Sequence, residues 1–429
     1  MRAHELYEEE RMKMDSPEFK KLLTPALLKL GKLYAKHGKD LRIVGGAVRD
    51  LVLGKEPKDI DLASDATPAQ SITILMGVDI ETTEKWFDVF ADSPNDLGDA
   101  VQMLGTHNGI HIVPTGLQHG TITAIVDGEE FEITTLRIDT EHTGRHATVQ
   151  YTKDWEQDAE RRDLTFNAMS LDLDGTLYDY HGGLEDLKAS KAKFVGDASS
   201  RMTEDYLRIL RYFRFQGRTA KPSFDADTLE AIRKNASGLK QISGERIWME
   251  MQKILEGDHT IELLKRMVET GVDEAIGLPM KNLKELVRAK KHIQAAPALL
   301  VALLKNEADV NNLTAKWKLS AVEREIMRFI VVNRDKPFNL DVATRLWTDP
   351  KVNDLHVRIL AYYLGDHAIA NELKNKDKPV FPVSGKDLIQ SGIKPGPEMG
   401  KILKNLEQKW KDDGYKMSKE DLLKWSKVV

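Results

Sequence analysis

The sequence predicts an α+β fold, in which a small mixed β-sheet in the N-terminal part is followed by an all-helical C-terminal part. Short segments rich in β-branched residues follow one another up to about residue 195, and Asp127-Gly128 and Asp174-Gly175 mark tight turns between them. From about Ala198 onward, apolar residues recur with the 3.6-residue period of amphipathic helices. The 429 residues correspond to about three units of roughly 150 residues each.

Strands are predicted where apolar and β-branched residues run between turn residues. LRIV leads into a glycine turn, and DIDLAS is expected to form a second, short strand. Further strands are predicted in GTITAIV, EEFEITTLR, FNAMSLDLD and GTLYDY. Because few helical segments lie between them, a small mixed sheet is favoured over a long doubly wound one.

Amphipathic helices are predicted in the second half, where the apolar stripe is clearest in YLRILRYFRF, LEAIRKNASGLKQIS, ERIWMEMQKIL, TIELLKRMVET and NLKELVRAKKHI. Breaks in this helical array are predicted at residues 221–225, 335–337 and 374–385. Proline, glycine and charged residues cluster at each of these places.

Composition excludes several classes of protein. The chain has no cysteine, which excludes disulfides, thiol catalysis and cysteine-ligated zinc. Its longest apolar run, residues 295–304, is shorter than the roughly 18 residues that a membrane span needs. The net charge of −5 argues against a uniformly basic nucleic-acid coat. Residues 374–429 differ, because 13 lysines against 8 acidic residues give this tail a charge of +5, which suits a polyanion.

The segment from Leu41 to Pro68 holds the densest set of candidate site residues. Gly45 and Gly46 follow the first predicted strand and open a helix, so their backbone N–H groups can approach an anion. Asp59 and Asp61 lie on the second predicted strand, which would direct both carboxylates to one face, about 7 Å apart. Two such carboxylates repel unless a cation lies between them, and Mg²⁺ prefers oxygen ligands of this kind.

An isolated Asp-x-Asp triplet is more often a solvated strand end, but here Gly-Gly and Arg49-Asp50 precede it. The whole segment LRIVGGAVRDLVLGKEPKDIDLASDATP resembles the signature of the class II tRNA nucleotidyltransferases, the CCA-adding enzymes of the DNA polymerase β superfamily. The eukaryotic, mitochondrial-type members resemble it most. The resemblance implies a nucleotidyltransferase head, two Mg²⁺ ions held by Asp59 and Asp61, and CTP and ATP as substrates.

Further segments continue the resemblance. GTITAIVDGEEFEITTLRID places Glu132 where the superfamily has a third acidic group beside the metal site, although an exposed strand glutamate is an equal alternative. DAERRDLTFNAMSLD resembles the motif that binds the nucleotide's ribose and phosphates, and GGLEDL resembles the hinge-like motif that follows the head. The residues that the resemblance assigns to nucleotide binding in these segments are Gly45, Gly46, Arg49, Arg161, Arg162, Asp163 and Asn167.

The segment TEDYLRILRYFRF is predicted to form one helix over residues 203–215, with Asp205 and Arg208 one turn apart. The alternative is a surface salt bridge of little energetic value. A carboxylate only accepts hydrogen bonds and a guanidinium only donates them. Together they match the amino group and ring nitrogen of cytosine and adenine, and they reject guanine and uracil. The family motif is credited with this choice, and Arg211 joins the nucleotide-binding residues.

The resemblance implies four domains. A catalytic head spans residues 1–195, a helical neck that selects the nucleotide spans 196–258, a helical body spans 259–340, and a helical tail that binds tRNA spans 341–429. Within the tail, residues 382–410 resemble the family segment that grips the tRNA body, with lysines for sequence-independent phosphate contacts. About 30 residues between Glu84 and Leu117 do not align with the family pattern, which indicates an insertion.

Three alternatives remain open. A bacterial-type poly(A) polymerase shares these motifs, but QHGT at 118–121 resembles the CCA-adding version, and a long basic C-terminal extension is lacking. A CC-only-adding enzyme would lack the flexible loop that the segment from Ile138 to Glu160 preserves. An inactive RNA-binding quality-control protein would have lost a metal-binding carboxylate, whereas Asp59 and Asp61 are both present.

The expected partners are tRNA, contacted at its 3′ end and its acceptor and elbow region, and the nucleotides CTP and ATP. No membrane association is expected, and a monomer is slightly favoured. The start of the chain, MRAHELYEEERMK, lacks the apolar core of a secretory signal and the arginine-rich character of a transit peptide. The expected location is therefore the cytoplasm, with a mitochondrial or nuclear pool left open.

Overall fold

The computed structural model describes residues 12–90, 93–114, 116–143, 146–280 and 282–425. In these ranges it confirms the α+β fold, because the strands all precede residue 180 and helices make up the remainder. The strands are β1 (Leu41–Val44), β2 (Asp61–Ser64), β3 (Thr106–His107), β4 (Ile110–Val113), β5 (Thr121–Val126), β6 (Glu129–Thr135), β7 (Arg137–Thr143), β8 (His146–Tyr151), β9 (Ser170–Asp172) and β10 (Leu177–Tyr178).

The helices fall into two groups along the chain. Those up to residue 276 are α1 (Pro17–Leu22), α2 (Pro25–Lys36), α3 (Gly46–Val52), α4 (Pro68–Met76), α5 (Ile80–Val89), α6 (Pro94–Gln102), α7 (Trp155–Glu160), α8 (Gly183–Lys188), α9 (Ala198–Glu204), α10 (Leu207–Gln216), α11 (Ala226–Asn235), α12 (Gly244–Glu256), α13 (Thr260–Glu269) and α14 (Val272–Ile276). Those that follow are α15 (Leu283–Ala289), α16 (Ala296–Ala302), α17 (Glu307–Trp317), α18 (Ala321–Asn333), α19 (Leu340–Thr348), α20 (Asp354–Leu364), α21 (His367–Asn375), α22 (Gly385–Gln390), α23 (Pro397–Asp412) and α24 (Lys419–Trp425).

One sheet joins the strands in the order β10-β9-β1-β2-β6-β5-β4-β3. β2 and β6 run parallel, and the other neighbouring strands of this sheet run antiparallel, so the sheet is mixed as predicted. The turn at Asp127-Gly128 connects β5 to β6, and both residues have a positive φ, as a tight hairpin turn requires. β1 and β2 therefore lie near the middle of the sheet, with partners on both sides.

Helices α2 and α4 pack against the strands of this sheet, and Val44 and Ala63 on the other face form a small buried cluster with Trp155. Ile43, Leu62 and Ile133 are buried, and α2 and α4 pack against the strands. Helix α4 begins where its sequence demands it, because Thr67 forms a capping box and a proline occupies the first helical position. Along β2 the side chains alternate between the two faces, so Asp61 points to the face opposite Leu62.

The unaligned segment between Glu84 and Leu117 adds to the edge of the sheet. It contains most of α5, all of α6, and the strands β3 and β4, which extend the sheet beyond β5. None of these elements was predicted from the sequence. Because β6 and β5 separate this edge from β1 and β2, the segment lies away from the centre of the sheet.

The segment from Ile138 to Glu160, predicted as a flexible loop, contains regular structure. β7 and β8 pair with each other as a separate antiparallel ribbon, and α7 follows it. The ribbon directly continues β6, with only Leu136 between β6 and β7. The segment therefore connects the central sheet to α7 through a hairpin.

The backbone divides into two compact units: Met1–Ile242 with Gly257–Ile276, and Ser243–Glu256 with Gly277–Val429. The first unit contains the sheet, and the second is built from helices. The second unit has one apolar cluster around Trp347 and Ala361, and another around Leu406 and Trp410. Residues 221–225 and 335–337 lie between helices, as their composition predicts. Of the break predicted at 374–385, residues 376–384 lie between helices, because α21 extends to Asn375 and α22 begins at Gly385. Among the described residues, no helix is long and apolar enough to cross a membrane.

Candidate active site

The turn between β1 and α3 is the centre of the candidate site. Gly45 has φ +69° and ψ −128°. Residues that carry a side chain rarely adopt this backbone conformation, so glycine is required there. A Cβ added at Gly45 would lie 3.4 Å from Arg162 Nη1, and one added at Gly46 would lie 3.6 Å from Arg49 Nη2. Two guanidinium groups therefore flank the Gly45-Gly46 turn.

Two acidic residues lie on adjacent strands beside this turn. In the sheet register, Asp61 is paired with Val44 of β1 on one side and with Glu132 of β6 on the other. Side chains of paired residues on neighbouring strands point to the same face, and both carboxylates are exposed. Because Gly45 directly follows Val44, the face that carries Asp61 and Glu132 borders the glycine turn.

Asp59 occupies a different setting from the one predicted. It lies in a bend before β2, because that strand begins only at Asp61. The strand is short at this end because β1 stops at Val44, where the chain turns, so Asp59 has no residue of β1 to pair with. The expectation that Asp59 and Asp61 lie on one strand, with both carboxylates on one face, was therefore wrong in placing Asp59 on the strand.

The electrostatics nevertheless couple the two aspartates. Although the Asp61 side chain keeps one exposed side, the protein packed around its carboxyl removes part of the surrounding water and raises its pKa. Arg162 partly offsets this increase, and the negative charge of Asp59 raises the pKa further. The raised pKa means that the ionised form of Asp61 is held at an energetic cost. A cation between the two groups would relieve that cost.

These carboxylates suit a divalent cation that is coordinated by the protein and the substrate together. Within the described ranges, no three acidic, histidine or cysteine side chains converge to form a metal-holding group. Mg²⁺ is usually bound by one or two carboxylates together with water and substrate phosphates, and not by an all-protein cage. Asp59 and Asp61 are suitable for the carboxylate part of such a site, with Glu132 on the adjacent strand.

A buried carboxylate on α7 holds two of the candidate arginines. Asp158 accepts hydrogen bonds from Arg161 at 2.9 Å and from Arg162 at 3.1 Å, and from the backbone N–H of Arg137 at 3.1 Å. Burial alone would raise the pKa of Asp158, but the two guanidinium groups hold it below its usual value. Asp158 was not predicted as a site residue. Its position three and four residues before Arg161 and Arg162 could have indicated the two ion pairs.

A second chain of hydrogen bonds links α3 to α10. Arg49 Nη1 donates to the Asn167 side-chain oxygen at 3.0 Å, and Asn167 donates to Asp163 at 3.1 Å. Asp163 also accepts from Arg211 Nε at 2.6 Å. All four residues were assigned to nucleotide binding from the sequence, and the structure brings them together. Burial would raise the pKa of Asp163, but Arg211 and the hydrogen bonds lower it overall.

The helix predicted over residues 203–215 is interrupted at its acidic end. α9 ends at Glu204 and α10 begins at Leu207, while Asp205 is extended, with φ −153°. The Asp205 side chain accepts a hydrogen bond from Leu207 N at 3.1 Å, in the manner of a helix cap. This local bond competes with helical hydrogen bonding, which is why the continuous-helix prediction was wrong.

Arg208 connects α10 to the end of α7. Its guanidinium contacts the carboxylate of Glu204, and it donates to the carbonyl oxygens of Arg201 at 3.1 Å and Arg161 at 3.3 Å. Arg161 in turn is bound to Asp158. The predicted phosphate-binding arginines and the predicted base-selecting arginine are therefore linked through the last turn of α7.

We predict that Asp158→Asn destabilises the protein by about 3 kcal/mol at pH 7, because a buried partner of two guanidinium groups is removed. The folded-state pKa of Asp158 lies below the unfolded value of about 3.9, so its stabilisation is complete above that value and is lost as pH falls through the folded pKa. The difference in melting temperature between wild type and variant should therefore shrink below about pH 4. Glu156→Gln, at an exposed position on the same helix, is the control, and a pH-independent difference would contradict the prediction.

Comparison with known families agrees with this geometry. The profile of the poly A polymerase head domain matches residues 41–87 and 79–193. A second profile, described as the probable RNA and SrmB-binding site of polymerase A, matches residues 223–276. The matched stretches include the glycine turn, the carboxylates of β2 and β6, and α7.

Relatives match over nearly the whole chain. The mitochondrial CCA tRNA nucleotidyltransferase 1 of Mus musculus is 43% identical over 97% of this chain and 93% of its own length, and that of Homo sapiens is 42% identical with the same coverage. The structure of the Bacillus stearothermophilus CCA-adding enzyme in complex with CTP matches with a TM-score of 0.74 at 25% identity, covering 96% of this chain and 98% of that chain. This chain therefore belongs to the family of CCA-adding tRNA nucleotidyltransferases.

Proposed function

We propose that this protein adds and repairs the 3′-terminal CCA of tRNA, using CTP and ATP and releasing pyrophosphate, without a nucleic-acid template. The observation that carries the proposal is the pairing of Asp61 with Glu132 beside a glycine turn that Arg49 and Arg162 flank. Carboxylates for a cation and guanidinium groups for phosphates thereby lie close together around one turn. The names of the relatives agree with this activity.

The residues have separate tasks in the proposed reaction. Arg49 and Arg162 donate hydrogen bonds to the phosphate oxygens of the incoming nucleotide, and Gly45 and Gly46 let the triphosphate approach the backbone. Asp59 and Asp61 would hold two Mg²⁺ ions, which would supply positive charge to the triphosphate and acidity to the RNA 3′-hydroxyl. No protein nucleophile is needed, because the RNA end itself attacks the α-phosphorus.

Asp205 and Arg208 select the base in this proposal. The acceptor-only carboxylate meets the amino group of cytosine or adenine, and the donor-only guanidinium meets the adjacent ring nitrogen. Guanine and uracil offer the opposite polarity at these positions. The Arg208 guanidinium already donates to Glu204 and to the Arg161 carbonyl oxygen, so a bound base would have to use the N–H donors that these contacts leave.

The remaining expectations join this proposal. The four domains, with a nucleotide-selecting neck at 196–258 and a tRNA-binding tail at 341–429, are assigned by resemblance. tRNA is the proposed macromolecular partner, and a monomer is the proposed state. The relatives named above are described as mitochondrial, which favours a mitochondrial pool beside the cytoplasmic one.

Poly(A) addition is the second candidate activity, because the descriptions of the two matching profiles name poly A polymerase and polymerase A. An enzyme that stops after CC and an inactive RNA-binding protein are further outcomes of the same test. Each alternative leaves a different product length on an RNA that ends before the CCA.

We predict that a tRNA transcript lacking CCA, incubated with the protein, Mg²⁺, CTP and ATP, is extended by two C and one A. Asp61→Asn should reduce the rate on the order of 10³-fold, because electrostatic stabilisation of the reacting phosphate is lost. Glu56→Gln, which changes an exposed acid in the loop that precedes β2, should leave the rate unchanged. Products are resolved at single-nucleotide length. A long A ladder, a stop after CC, or no extension would each reject the proposal.

We predict that Asp205→Ala raises the use of GTP and UTP relative to CTP and ATP by about tenfold, because one member of a two-point base contact is removed. The KM for CTP should change less than this ratio. Asp225→Ala is the matched control, since Asp225 caps α11 as Asp205 caps α10. Base choice that is identical in wild type and Asp205→Ala would show that the carboxylate does not read the base.

A further inference from the structure

One aromatic ring in the first unit contacts four arginines. The guanidinium carbons of Arg49, Arg211, Arg214 and Arg218 lie 5.0, 5.4, 4.1 and 5.6 Å from the centre of the Phe215 ring. All four distances are within the roughly 6 Å over which a cation is attracted to a ring face. Phe215 itself is 5% exposed, and the edge or face of Phe166 contacts it at a centroid distance of 5.9 Å.

Two of these arginines belong to the proposed nucleotide site and come from different elements. Arg49 lies on α3, directly after the glycine turn, whereas Arg211 lies on α10, one turn before Phe215. Arg49 is bound at its edge by Asn167 and Asp50, and Arg211 is bound by Asp163. The ring of Phe215 is thus a surface that both guanidinium groups share.

Stacking on a ring leaves the hydrogen-bonding capacity of an arginine available. A guanidinium group presents its N–H donors in its own plane, so contact through its face does not use them. Arg49 is 4% exposed, and the attraction between a cation and a ring is strongest where water is excluded. The ring therefore restricts the position of the Arg49 guanidinium without competing with an anion for its donors.

We propose that Phe215 is a positioning residue that sets the distance between Arg49 and Arg211 and thereby the affinity for the nucleotide triphosphate. The proposal rests on the proposed function, because it concerns the same nucleotide site. CTP and ATP share the triphosphate that this role concerns, so the loss of Phe215 should affect the binding of both nucleotides alike.

The test compares Phe215→Leu with Phe213→Leu. Phe213 is fully buried on the same helix and packs against the rings of Tyr212 and Phe224, so its replacement reports the loss of a buried ring alone. KM and kcat for CTP and ATP are measured on a tRNA substrate, together with melting temperature. We expect Phe215→Leu to raise KM for both nucleotides about five- to tenfold with kcat altered less than about twofold. Phe213→Leu should lower the melting temperature and leave both KM values within about twofold.

Phe215→Tyr retains the ring face and should restore KM to near the wild-type value. Equal KM values in wild type and Phe215→Leu, or equal increases in the two leucine variants, would overturn the proposal. Isothermal titration with CTP separates this result from failure of the proposed function. A wild type that binds CTP without extending RNA contradicts the function, while the ratio of Kd values still judges Phe215. A wild type that neither binds CTP nor extends RNA overturns both.

Discussion

The pairing of buried carboxylates with guanidinium groups is the constraint on which the site depends. Several arginines lie close together around the Gly45-Gly46 turn. Without nearby negative charges their guanidinium groups would repel one another, and removing them from water would be unfavourable. Asp158 and Asp163 supply that compensation, and the pKa of each is held below its usual value despite burial. Because the carboxylates are rigidly placed, the guanidinium groups keep defined directions. The buried ion pairs thus determine how the guanidinium groups are placed.

The sheet provides the second fixed element. Asp61 and Glu132 are distant in sequence, but the parallel pairing of β2 with β6 sets them side by side. A one-residue slip would turn both carboxylates to the face that α2 and α4 cover, so the buried Leu62 and Ile133 protect the register. Core packing and the candidate chemistry are therefore determined by the same alternation.

Local patterns in the sequence predicted the α+β class, the strands β1, β5 and β6, and most of the amphipathic helices named in the second half of the chain. The grouping of Arg49, Asn167 and Asp163 followed from the family motif. The end of β2 before Asp59 depends on where β1 stops, and the break at Asp205 depends on a side-chain bond that competes with the helix. Neither is visible in a periodicity. The strands β3 and β4 are short, and they gain stability from pairing of β4 with β5 and of β3 with β4, so their own sequences predict them weakly.

A crystal structure of the protein with CTP and Mn²⁺, which gives an anomalous signal in place of Mg²⁺, would show directly whether the metal and the triphosphate bind at the β1–α3 turn. We expect anomalous density at the carboxylates of Asp59 and Asp61, with the triphosphate at the glycine turn between Arg49 and Arg162. A triphosphate bound away from this turn, or metal bound at neither aspartate, would contradict it.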